Sequence, residues 1–77
     1  MNKDRRTRIE RLKGRLEEIA AELEQLAAEE QEAFDNMPES LQNSERGEQM
    51  ESAISELEDA QSDAEALAEK LDELLNQ

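Results

Sequence analysis

EAFDNMPESLQNSERGEQM, residues 32–50, decides how this chain folds. It holds the only phenylalanine, the only proline, one of the two glycines and two of the three methionines. On both sides the apolar residues recur with helical spacing, so the stretch reads as a break between two helices. The first helix should end near Asp35 or Asn36. Asparagine tolerates the left-handed conformation, and the residue before Pro38 is pushed out of the α region. Pro38 suits the first position of a short turn, PESLQ. Asn43 or Ser44 can cap the second helix, with Glu45 and Glu48 well placed in its first turn.

Working outward, the first arm places Ile9, Leu12, Leu16, Ile19, Leu23 and Leu26 at alternating steps of three and four, continuing through Glu30 to Ala33. The second arm repeats the pattern with Met50, Ala53, Leu57, Ala60, Ala64, Leu67, Leu71 and Leu74. These are positions a and d of a heptad seam. Folding the chain back at residues 41 and 42 sets Ile9 against Leu74, Leu16 against Leu67, Leu23 against Ala60 and Ala33 against Met50, all in one register. The expectation is a single all-α domain over residues 1–77, an antiparallel helical hairpin with helices at about 4–35 and 45–76 and a turn at about 36–44. In that register Leu23→Asp and Leu67→Asp would both unfold the hairpin.

The e positions are Lys13, Ala20, Ala27 and Phe34 on one arm, and Ile54, Gln61, Ala68 and Leu75 on the other. Most are apolar, so the stripe is wider than two helices need. Ala20, Ala27, Phe34, Ile54, Ala68 and Leu75 are expected to form an exposed flank that dimerises into a four-helix bundle, or takes a helix from another protein. The g positions are polar: Arg15, Glu22 and Glu29, then Glu56, Asp63 and Lys70. Phe34 and Gly47 should face each other near the turn, the glycine leaving room for the ring, with Met37 and Leu41 closing over it.

The net charge is −13, from 22 acids and 9 bases. Residues 1–16 carry seven of the bases and only Asp4 and Glu10. Folded back, this basic start would lie beside Glu69, Asp72 and Glu73, each end offsetting the other's unfavourable position on its helix dipole. The basic segment lacks stacking aromatics, which argues against direct nucleic-acid binding. There is no cysteine and no histidine, so disulfides, thiolate metal sites and histidine-based catalysis are excluded. No phosphate-binding or dinucleotide-binding loop is present, and carboxylates on a two-helix surface have no cleft to separate their roles. No enzymatic activity, metal or cofactor is expected. No apolar run reaches the roughly 20 residues of a membrane span, and the basic start has no apolar run after it, so a cytoplasmic protein is expected.

The turn offers one further reading. Asn36, Ser40, Asn43, Ser44 and Arg46 lie near a helix N-terminus and could hold a small anion. In the plainer reading they serve the reversal, and Asp35 pairs with Arg46.

The run EEQEAFDNMPESLQNSERGEQMESAISELEDA, residues 29–60, with the basic start and the Leu/Glu-rich arms, resembles small proteins encoded by bacteriophages and prophages. The resemblance is strongest from Phe34 to Gly47. It implies a phage setting, the host cytoplasm, and no activity. Three functions follow as expectations: an interaction protein that binds a host or phage protein through its acidic faces and loop; an acidic DNA mimic that inhibits a nucleic-acid-binding defence protein; and an oligomeric sponge for a nucleotide-type molecule at the loop.

Overall fold

The computed structural model describes all 77 residues and contains only helices: α1 (Lys3–Asp35), α2 (Glu39–Gln42) and α3 (Glu45–Leu75). The long helices run antiparallel as a rod of 58 × 13 × 13 Å. Two contacts between distant ends fix the pairing: Arg6 Nη2 donates to the carbonyl of Leu75, and Lys13 Nζ lies 3.1 Å from Asp72 Oδ1. They straddle the register expected from sequence.

Each long helix starts with a side-chain cap. Asn2 Oδ1 accepts from the Arg5 amide at 2.9 Å, and Ser44 Oγ accepts from the Gly47 amide at 3.4 Å. The reversal departs from expectation at two residues. Pro38 caps α2 instead of opening it: its ψ of 145° is extended, and its carbonyl takes the amides of Leu41 and Gln42. Asn36 is right-handed, with φ −84° and ψ −5°. No left-handed residue is required, because Gln42 Nε2 reaches back to the carbonyls of Phe34 at 3.0 Å and Met37 at 3.1 Å. One amide thus ties α2 to the end of α1. Gln42→Ala is expected to cost about 1–2 kcal/mol, since it strips this donor from two part-buried carbonyls. Thermal unfolding followed by circular dichroism should show a fall of roughly 5–15 °C. A midpoint unchanged within about 2 °C would remove the bridge from the account.

Gly47 is buried, but the ring of Phe34 is not what it makes room for. A Cβ built there would lie 2.0 Å from the Gln42 carbonyl oxygen and 2.8 Å from its Cα. The glycine admits the backbone of the α2–α3 corner.

The seam itself is rotated from the expected one. Buried side chains are Ala20, Ala27, Ile54, Ala64 and Ala68. With half-buried Ile9, Leu16, Leu23, Phe34, Met50, Leu57, Leu71 and Leu75 they occupy positions a and e. On α1 position d is outside, with Leu12, Ile19 and Leu26 each about half exposed; on α3 Leu67 is also about half exposed, but Ala53, Ala60 and Leu74 are half-buried. Small residues explain the rotation. On α1, alanine at 20 and 27 lets the helix axes approach closely, whereas Ile19 and Leu26 would hold them apart; on α3, Ala64 and Ala68 face them, with Ala53 and Ala60 half-buried alongside. Ala20, Ala27, Ile54 and Ala68, expected on an exposed flank, are therefore packed inside the hairpin, with Phe34 and Leu75 half-buried beside them.

Candidate interaction surfaces

The rotated seam gives the hairpin two unlike faces. The first is the d face. Leu12, Leu16, Ile19, Leu67 and Leu71, with Arg15 at the rim, line an open groove of about 400 Å³. Leu26 continues the row toward the turn at 50% exposure. Large apolar side chains are outside while alanines are inside, the reverse of a finished globular core. Covering the exposed half of each would contribute on the order of 1 kcal/mol per residue.

The opposite face is acidic. Position b flanks the e side and carries Glu17 and Glu24 on α1 and Glu51, Glu58 and Glu65 on α3, all exposed. Glu24 and Glu58 wall a second shallow groove, of about 320 Å³, floored by Ala27, Ala28 and Ile54. These carboxylates have few intramolecular counter-charges. The ion pairs in the structure are Arg8–Asp4 at 3.7 Å and Lys13–Asp72 at 3.1 Å, both at the end where the chain termini meet. Residues 17–66 hold 17 acids and a single base, Arg46. Nowhere do three carboxylates converge as a metal site would require.

The terminal end has the opposite character. It gathers eight of the nine bases against Asp4, Glu10, Glu69, Asp72 and Glu73. The hydrogen bond to Asp72 and that carboxylate's charge raise the Lys13 ammonium above its ordinary 10.5; desolvation lowers it, and Glu17 and Glu10 raise it further. Arg6 contributes a cation to the C-terminal carbonyls of α3, where the helix dipole favours one. The basic start and acidic end do meet, through Arg6 and Lys13.

Of the candidate anion residues, Asn36, Ser40, Asn43 and Arg46 are exposed and Ser44 is half-buried. Ser44 is occupied by helix structure, donating to the Leu41 carbonyl and capping α3. Asp35 does not pair with Arg46; it accepts from Gln31 Nε2 at 2.9 Å, one turn back on its own helix. The five residues do not enclose a pocket.

The exposed d row is the feature that the sequence reading missed. Ala20, Ala27 and Ala68 at positions e, with Gly47 at the first e position of α3, could have revealed it, because small residues mark where two helices come closest. No helix is long and apolar enough to cross a membrane. Comparison of the chain with family models, curated proteins and solved structures finds no match.

Proposed function

We propose that this chain is a non-enzymatic interaction protein, a dimeric four-helix bundle that binds the basic surface of a protein partner through its acidic face. The observation that carries this is the b row: Glu17, Glu24, Glu51, Glu58 and Glu65 stand exposed and none forms an ion pair within the chain, although Lys13 lies one turn from Glu17. Such a surface attracts a basic partner over several ångströms and repels nucleic acid and anionic membrane. The phage resemblance supplies the setting, a bacteriophage or prophage product in the cytoplasm of its host.

Charge density favours a second, narrower reading, in which the partner is a nucleic-acid-binding protein and the hairpin imitates its ligand. Residues 17–66 carry a net −16. They occupy roughly 35 Å of rod at 1.5 Å per helical residue. That is about one net charge per 2 Å, close to the ~1.7 Å of duplex DNA.

A panel of nucleic-acid-binding proteins, titrated with the labelled protein at low and high salt and with duplex DNA as competitor, tests both. Binding that weakens at least ~10-fold in a Glu24→Gln/Glu51→Gln/Glu58→Gln/Glu65→Gln variant is expected under the first reading. Competition by DNA adds the second. Binding that survives the neutralisation rejects the acidic face as the working surface, and a panel with no binder rejects the second reading.

A further inference from the structure

We infer that the d face is covered by a second copy of this chain, lying antiparallel, on a two-fold axis that passes beside Ile19 of α1 and Ala64 of α3. The inference rests on the dimer proposed above and gives it a face and an orientation; it does not depend on what the acidic face binds.

Leu12, Ile19 and Leu26 are evenly spaced about Ile19, and each is about half exposed. An axis there, perpendicular to the rod, sets Leu12 against the partner copy's Leu26 and Ile19 against itself. The protruding Leu26 then meets the groove that Leu12, Leu16, Ile19 and Leu67 leave open.

Charge chooses the same axis independently. Position g borders the d row on its outer side, and on α1 it reads Arg8, Arg15, Glu22, Glu29. That order is basic toward the terminal end and acidic toward the turn. The axis beside Ile19 brings Arg15 to the copy's Glu22 and Arg8 to its Glu29, and each pair occurs twice by symmetry. A two-fold running along the rod would instead place basic end beside basic end and the acidic bodies side by side.

The partner helix agrees. In the hairpin register Ile19 lies level with Ala64. Reversing α3 about that level sets Leu67 against the copy's Ala60 and Leu74 against its Ala53, each large residue on a small one. Among the g residues Glu56 meets Lys70. Asp63 meets its own copy near the axis, the one like-charged pair in the arrangement. Both acidic faces remain outside, on opposite sides of the bundle.

The test uses the whole chain, which has no cysteine. Sedimentation equilibrium should give twice the 8.8 kDa chain mass. Under mild oxidation Ile19→Cys should cross-link to itself. Leu12→Cys should not, because the arrangement separates the two copies of that residue by about 21 Å, fourteen helical residues. Arg15→Glu should weaken the dimer at least ~5-fold, and adding Glu22→Arg should restore it. Within one helix these two residues are two turns apart and do not touch, so rescue reports a contact between copies. A dimer that cross-links through Leu12→Cys, or shows no rescue, overturns the orientation and leaves the acidic-face reading standing. A monomer at every concentration overturns the dimer altogether.

Discussion

Replacing Gly47 with alanine is expected to lower the melting temperature by about 10–20 °C, a loss of roughly 2–3 kcal/mol. The added Cβ has nowhere to go. It would fall 2.0 Å from the Gln42 carbonyl oxygen and 2.5 Å from the carbonyl carbon, and these are backbone atoms that cannot rotate aside. Relief requires α2 to lift from the first turn of α3. That motion pulls on the Gln42 side chain and its bonds to Phe34 and Met37, so the corner loses several contacts together. Conformational freedom is not the issue, since neither glycine has positive φ. The matched control is Gly14→Ala, where nothing lies within 4 Å of the new Cβ. There the substitution should stabilise the helix by about 0.5–1 kcal/mol, through helix propensity alone. Thermal melts of the two variants should move in opposite directions. A Gly47→Ala protein that melts with the parent would show that the corner does not hold α2 against α3.

Leu23→Asp is expected to unfold the chain, while Leu67→Asp leaves the hairpin folded and impairs self-association. The contrast follows from the rotated seam. Leu23 is half-buried at an a position, between the arms, among Ala20, Ala27 and the facing helix. A carboxylate there would be desolvated without a partner, costing about 3 kcal/mol or more, a large share of what a 77-residue hairpin holds in reserve. Leu67 is 48% exposed at a d position, so an aspartate can turn into water. Far-UV circular dichroism and a urea titration distinguish them. Equal helix content and equal urea midpoints for both variants would mean that a and d contribute alike to the seam, as the heptad reading first required.

The two-helix architecture was legible because one break separates two long periodic arms. The cap of α3 was legible to within one residue, as Asn43 or Ser44, because such residues at a break have few other uses; the Asn2 cap of α1 was not anticipated. What the sequence did not disclose was rotation about the helix axis. Ile9, Leu12 and Lys13 are all consistent with a seam at a/d or at a/e, and hydropathy alone prefers the leucines of position d. Packing distance decides otherwise: Ala20, Ala27, Ala64 and Ala68 are favoured between the arms for what they lack. The same rotation moved Ala20, Ala27, Ile54 and Ala68 from the outer flank to the interior and brought Leu12, Ile19 and Leu26 out. The role of Gly47 was hidden for a related reason. Its neighbour is a backbone segment five residues earlier, and no side-chain pattern encodes that approach.

Six buried residues out of 77 also bear on heat capacity. Unfolding raises it in proportion to the apolar surface newly wetted, typically about 12–15 cal/mol/K per residue. A solitary hairpin of this kind already wets much of its leucine when native, so its increment falls well below that value. Its stability curve is correspondingly flat, with a shallow maximum and a slow decline toward both cold and heat. Covering the d face adds apolar surface to what melting must expose, and the curve steepens. With a second copy on the d face, as inferred above, dilution would change the curvature of the stability curve as well as its height.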